Sequence, residues 1–84
     1  MKMNDEVMQL CTRQMGKTYR IQSMELPLQT EKRLEALGLT KNTPIRILNR
    51  KGHGTMIVQV RGTRFALGYG ITKNIQVKGV SQSE

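Results

Sequence analysis

The densest group of side chains that could do chemistry lies in residues 50–64, RKGHGTMIVQVRGTR. This stretch holds four of the chain's arginines and lysines, three glycines and its only histidine. Three kinds of site are conceivable for such a composition: a phosphate-binding loop, a metal site and a basic surface for an anionic partner. Each kind needs further residues, so the rest of the sequence decides between them.

The glycines of this stretch do not fit a phosphate-binding loop. A Walker loop leads from a strand into a helix, so that helix amides meet the phosphate oxygens. Gly52 and Gly54 instead lie between two predicted strands, IRILNR and TMIVQVR. We therefore interpret them as turn residues of a β-hairpin.

A metal site would require ligands that the sequence does not supply around His53. A closed transition-metal site needs three or four positioned ligands, and the chain has no second histidine and a single cysteine, Cys11, far from His53. We expect His53 to be an exposed loop residue and predict no metal or cofactor. A lone cysteine also excludes an internal disulfide and suits a reducing compartment.

Catalytic pairs are not evident either. No two acidic residues are placed to share general acid and base work, and no Ser, Thr or Cys stands beside an evident base. The acidic residues are Asp5, Glu6, Glu25, Glu31, Glu35 and Glu84. The prediction is that the protein is not an enzyme.

The elements that position the basic residues are short strands and one helix. Tyr19 and Ile21 alternate with polar residues, as a half-buried strand requires, and LQTEKRLEALGL predicts a helix that ends in a Schellman motif at Gly38. The segments IRILNR, TMIVQVR, TRFAL and NIQVK predict four more strands.

Five strands with tight turns and one helix between the first and second predict a mainly β fold, a small SH3-like barrel whose closure removes the exposed strand edges. With 84 residues, only one core can form. We expect a flexible N-terminal tail at 1–9, the domain at 10–78 and a C-terminal tail at 79–84.

The arginines are the candidate binding residues. Alternation along the strands directs Arg46, Arg50 and Arg61 outward, where together with Arg64 they could form one basic face; the alternative is a solvated surface that only keeps the domain in solution. Apolar residues around Pro27 and on the helix could add a contact patch. The residues predicted to bind a partner are Met24, Leu28, Leu34, Arg46, Arg61 and Arg64.

The overall charge indicates an anionic partner. The formal net charge is +8, but the chain has one Phe, two Tyr and no Trp, so it lacks the aromatic platform on which single-stranded nucleic acids stack. No apolar run is long enough to cross a bilayer, and acidic residues stand near the start where a signal peptide would be apolar. We expect a cytoplasmic protein without a stable nucleic-acid ligand.

The sequence resembles the ferrous iron transport protein A (FeoA) family over about residues 8–78. The most specific part is EKRLEALGL, the helix with its Gly-Leu ending, followed by VQVRGTRFAL. Where the family commonly has a glycine in the turn after the helix, this chain has Asn42, and its hairpin loop KGHG is short and basic. The positions that carry the resemblance are Leu10, Gly16, Arg33, Leu34, Leu37, Gly38, Leu39, Val58, Val60, Gly62, Ala66 and Leu67.

The resemblance implies an SH3-like fold, also found as the C-terminal domain of iron-dependent repressors. It further implies a non-enzymatic accessory protein that binds the cytosolic GTPase domain of the ferrous iron transporter FeoB at the inner face of the membrane. In a sharper version of this hypothesis, Arg61 or Arg64 reaches the nucleotide as an arginine finger.

Two alternatives stay open beside this role. A basic small barrel could bind nucleic acid, and a ligand-sensing module of a repressor would need a DNA-binding helix pair that the sequence does not show. A weak homo-oligomer is a further form of assembly that the sequence leaves open.

Overall fold

The structure, a computed structural model, describes residues 7–79. The chain forms six strands, two α-helices and a 3₁₀ turn at Leu10–Thr12. In order, these strands and helices are β1 (Val7–Gln9), β2 (Thr18–Met24), α1 (Leu28–Ala36), β3 (Pro44–Lys51), β4 (Thr55–Val60), β5 (Thr63–Leu67), α2 (Tyr69–Thr72) and β6 (Ile75–Gly79). The 3₁₀ turn lies between β1 and β2.

All six strands belong to one antiparallel sheet in the order β1-β6-β2-β3-β4-β5. The predicted mainly β fold is confirmed, and the five predicted strands with the helix are all present. β1 and α2 were not predicted, because at three and four residues they are too short to show a period.

The expected tails need correction at their inner ends. Residues 7–9 are not a tail, because β1 pairs with β6 from Val7 opposite Lys78 to Gln9 opposite Gln76. Gly79 lies opposite Tyr19 as the last residue of β6. The other residues of the two expected tails, 1–6 and 80–84, lie outside the described residues.

The core fills the inner side of this sheet. Side chains from β2, β3, β4 and β6 alternate inward as predicted, and the 3₁₀ turn and α1 each add a leucine. The buried apolar residues are Leu10, Tyr19, Ile21, Leu34, Leu39, Ile45, Ile47, Met56, Val58, Val60, Leu67, Ile75 and Val77. Burial of these side chains is what holds the domain together.

The end of α1 follows the predicted motif. Gly38 has φ 103°, its N–H donates to the carbonyl of Glu35 at 2.9 Å, and the Leu39 N–H donates to the carbonyl of Leu34 at 2.9 Å. In the turn that follows, Asn42 adopts φ 70°, the left-handed conformation that asparagine tolerates. The helix therefore ends where its sequence predicts, and the turn that follows leads into β3.

Two β-bulges change which side chains face inward. Pairing shifts between Ile21 and Ser23 in β2, and between Ile47 and Asn49 in β3. Because the extra residue in each bulge reverses the later alternation, Arg50 lies opposite the buried Met56 instead of continuing the outer face.

The sheet has two edges in the described part of the chain. β1 pairs only with β6, and β5 pairs only with β4, so the ladder does not run continuously around the barrel. A side-chain hydrogen bond links the first edge to the end of α2, where the Gln9 amide nitrogen donates to the carbonyl of Lys73, the residue after the helix, at 2.8 Å. The edges that closure was expected to remove are therefore present, at β1 and at β5.

Candidate partner-binding surface

The outer face of the sheet carries a row of polar side chains across four strands. Thr18 in β2 lies opposite Arg46 in β3, Arg46 opposite Gln59 in β4, and Gln59 opposite Arg64 in β5. Neighbouring strands are about 4.8 Å apart, so the backbones at Arg46 and Arg64 are roughly 10 Å apart. The register thus brings two of the predicted arginines onto one face.

Arg46 and Arg64 do not use their guanidinium groups inside the described part of the chain. Both side chains are exposed, and neither donates a hydrogen bond to another described residue. Arg20, by contrast, donates to the carbonyl of Asn42 at 2.8 Å. Five N–H donors on each guanidinium of the row are therefore available to a carboxylate or phosphate.

Arg50 does not join this row, which corrects its predicted outward direction. Its guanidinium donates to the carbonyl of Cys11 at 2.9 Å and to the carbonyl of Arg13. These acceptors belong to the 3₁₀ turn and the residue after it, so Arg50 ties β3 to the segment between β1 and β2. The β3 bulge is the physical reason, since it turns Arg50 to the other side of the sheet.

Arg61 lies apart from the row as well. It occupies the two-residue turn between β4 and β5 with φ 53°, next to Gly62 at φ 82°, the signature of a type I′ turn. The Arg61 side chain runs toward α1, its Cδ lying 3.4 Å from where a Cβ on Gly38 would stand. A cation at the C-terminal end of a helix is stabilised there by the helix dipole.

The three apolar residues predicted to bind a partner also differ in their exposure. Leu34 is only 4% exposed and belongs to the core, so it is not available to a partner and its prediction is corrected. Leu28, the first residue of α1, is 65% exposed. Met24 is half-buried against the core. Leu28 and Met24 flank the β2–α1 connection, whereas Arg46 and Arg64 lie on the β3–β5 face.

A shallow groove of about 460 Å³ lies beside Arg64 on the outer face. Its lining combines half-buried Leu48 and Ile57 with Asn49, Lys51 and Arg64. Leu48 is the extra residue of the β3 bulge, and Ile57 lies outward by the alternation of β4. The groove was not predicted, although the outward phase of Ile57 could have indicated it.

A second groove, of about 260 Å³, lies between β2 and α1. Glu31 and Glu35, one helical turn apart, line it together with Met24 and Lys41. Glu25, Glu31 and Glu35 are all the acidic residues within 7–79, while the chain from 36 to 79 contains eight lysines and arginines and no acid. The β3–β6 half therefore carries a strongly positive field.

One exposed aromatic side chain stands at the start of α2. The Tyr69 ring centroid lies 5.6 Å from Nζ of Lys73, the residue that follows α2, in a cation–π contact. Of the other aromatic residues in the described range, Tyr19 is buried and Phe65 is half-buried. The outer face therefore offers arginines without an aromatic platform.

Neither a metal cluster nor a membrane span is found between residues 7 and 79. That part of the chain holds no group of three or more His, Cys, Asp or Glu side chains arranged to bind an ion. His53 is exposed in the β3–β4 loop, as expected. No helix formed by these residues is long and apolar enough to cross a bilayer.

The family model of the FeoA domain matches residues 8–79, nearly the whole described chain. The chain belongs to the FeoA family. The resemblance seen in the helix ending and the β4–β5 hairpin is thereby confirmed, and with it a place in ferrous iron transport.

Solved structures agree with this FeoA assignment. The crystal structure of an iron uptake regulatory protein (FeoA) is 27% identical, with a TM-score of 0.75, and the match covers 87% of this chain and 96% of that one. The FeoA protein from Chlorobium tepidum is 20% identical with a TM-score of 0.82, covering 92% and 74%. No curated protein matches the sequence.

The same fold occurs inside a larger protein of a different kind. A manganese-dependent transcriptional repressor is 19% identical with a TM-score of 0.82, and the match covers 93% of this FeoA chain but 44% of the repressor. At this identity the likeness shows the fold alone.

Proposed function

We propose that this FeoA chain is a cytoplasmic accessory protein of ferrous iron uptake that binds the cytosolic GTPase domain of the transporter FeoB. Docking of its basic outer face would recruit it to the inner side of the membrane and modulate the transporter. The observation that carries the proposal is the pair of outward arginines, Arg46 and Arg64, whose side chains make no hydrogen bond to any residue within 7–79, on a member of a ferrous iron transport family.

The charge distribution supports an acidic surface as the partner. The β3–β6 half concentrates positive charge, and such a field raises the rate of encounter with an oppositely charged domain. The ladder holds the backbones of Arg46 and Arg64 two strands apart, roughly 10 Å, so both side chains can reach carboxylates on one partner surface.

Binding to the purified GTPase domain of the cognate transporter tests the proposal by isothermal titration calorimetry. The double variant Arg46→Glu, Arg64→Glu should weaken binding at least about tenfold, because both attractions become repulsions. The matched control is Lys32→Glu, Lys41→Glu, which makes the same change in net charge on the α1 side and should bind within about twofold of the wild type.

Three outcomes are informative. Loss of affinity in the first variant alone supports the β3–β5 face. Equal loss of affinity in both variants would show that only net charge matters and would reject the β3–β5 face as the binding surface. If the wild type does not bind the GTPase domain, the proposed function is rejected. Thermal melts of both variants exclude unfolding as the cause.

The arginine-finger hypothesis concerns Arg64, whose guanidinium has no hydrogen-bond partner among the described residues. If it enters the nucleotide site, single-turnover GTP hydrolysis should accelerate by roughly 10³-fold or more when the domain is added. An unchanged rate under saturating binding would remove this version and leave the docking proposal intact.

A further inference from the structure

β5 exposes one of its two backbone edges in the described part of the chain. In a two-residue hairpin the residues flanking the turn, Val60 and Thr63, form a hydrogen-bonded pair, and the pairs alternate from there. Arg64 and Ala66 therefore direct their N–H and C=O groups away from β4. No turn or loop backbone bond of the described residues reaches these groups.

A strand added at this edge would extend two existing rows of outer side chains. One row runs Arg46, Gln59, Arg64; the other runs Asn49, Ile57, Ala66. Side chains directly opposite each other across a ladder are about 5 Å apart and interact strongly enough to select partners. Each row therefore specifies the chemistry of the residue that would continue it.

The first row calls for an acid and the second for an aliphatic side chain. A carboxylate opposite Arg64 would meet a guanidinium that lacks a partner in the described range. A branched side chain opposite the small, exposed Ala66 would reach toward Ile57 and the groove it shares with Leu48. Lys51 and Arg64 border the same groove, so its rim favours negative charge.

We propose that the β5 edge binds an extended acidic segment of a partner protein by strand addition. The segment places Asp or Glu opposite Arg64 and, two residues away, Val, Ile or Leu opposite Ala66. Backbone bonds to Arg64 and Ala66 supply affinity, and the two side chains supply specificity. The proposal rests on the proposed function in taking the partner to be an acidic protein, and it names how that partner binds.

A proline at residue 66 tests the edge directly. Because the Ala66 N–H points away from β4, Ala66→Pro removes an edge donor while sparing the β4–β5 ladder. We expect at least a tenfold loss of affinity for the GTPase domain, whereas the control Ala66→Ser keeps the donor and should bind within about twofold. Equal affinity of both variants would overturn the proposal.

A second measurement uses the wild-type chain, so it does not depend on how the proline variant folds. The probes are the peptide Ac-STETVTS-NH2, which carries the predicted acid and aliphatic residue, and Ac-STKTVTS-NH2, in which lysine replaces the acid. In NMR titrations the first peptide should shift the amides of Arg64 and Ala66, and the second should not.

These two measurements separate the proposals. Binding of the GTPase domain without any change at Arg64 and Ala66 overturns strand addition and leaves the proposed function standing. Peptide-induced shifts at Arg64 and Ala66 without binding of the GTPase domain support strand addition and overturn the proposed function. Shifts of the same amides on concentrating the protein alone would identify a second copy as the occupant and overturn the acidic segment, as would the absence of shifts with both probes.

Discussion

Arg50 and Arg64 belong to the same antiparallel sheet and are both exposed, yet they serve different ends. The Arg50 guanidinium donates hydrogen bonds to the carbonyls of Cys11 and Arg13, which links the 3₁₀ turn to β3. Arg64 makes no hydrogen bond within the described residues and faces outward beside the groove of Leu48 and Ile57. Exposure alone therefore does not make a surface arginine a candidate binding residue. Its guanidinium N–H groups must also lack hydrogen-bond partners within the protein.

Leu34 and Leu28 of α1 also differ in role, and their substitution is expected to give the largest difference in the free energy of unfolding. Leu34→Ala should lower the free energy of unfolding by about 2–5 kcal/mol, because it removes a core side chain and leaves a cavity. Leu28→Ala, at an exposed position, should change it by less than about 0.5 kcal/mol. Urea unfolding followed by circular dichroism measures both, and similar values would contradict the assignment of Leu34 to the core.

Arg50→Ala should lower the free energy of unfolding by about 1–2 kcal/mol, because hydrogen bonds from a charged donor to two carbonyls are lost. Arg64→Ala should change stability by less than about 0.5 kcal/mol while weakening binding to the GTPase domain. Arg50→Lys keeps the charge without the forked donor and should fall between wild type and Arg50→Ala. Equal losses of stability in the two alanine variants would contradict the structural role assigned to Arg50.

Gly62 sets the register that places Arg64 beside Gln59. Its φ of 82° is unfavourable for a residue with a Cβ, so Gly62→Ala should cost about 1 kcal/mol in chemical denaturation. Gly68 is the matched control, because an added Cβ there meets nothing within 4 Å and its φ is −75°. A loss as large in Gly68→Ala would show that the effect is not one of turn conformation.

The smallest expected effect concerns nucleic acid. Arg46 and Arg64 could attract phosphates, but the described aromatic residues other than Tyr69 are buried or half-buried, so no stacking platform accompanies them. In gel-shift assays we expect no stable complex with single- or double-stranded DNA at about 0.15 M salt, and at most binding that falls steeply as salt rises. A complex that survives physiological salt would favour the nucleic-acid alternative.

Much of the fold could be predicted because its determinants are local. The helix ends at Gly38 because the preceding residues are periodic and the glycine can adopt positive φ. Ile45, Ile47, Val58 and Val60 are buried because side chains alternate along a strand, and only one side of this sheet is covered. The same alternation placed Arg46 on the outer face.

The candidate site was predicted only in part, because its assembly depends on contacts between distant segments. The alternation of β3 predicts the outer face for Arg50 as well as for Arg46. Only the pairing of β3 with β4 shows the bulge that puts the two side chains on opposite faces. The sequence predicts Leu34 as a docking residue, but the structure buries its side chain in the core. It predicts Arg61 as part of the basic face, but the Arg61 side chain runs toward Gly38.

The amino-acid sequence alone predicts the strand faces before each bulge, the helix and its end at Gly38, this chain's own net charge of +8 and the family, since each depends on neighbours along the chain or on composition. Only the folded structure shows which arginines have hydrogen-bond partners within residues 7–79, that β1 joins the sheet, and that β5 lies at an edge of the sheet these residues form. The physical reason is that register and hydrogen-bond partners are set between strands far apart in sequence, where a single extra residue reverses the side to which a side chain points.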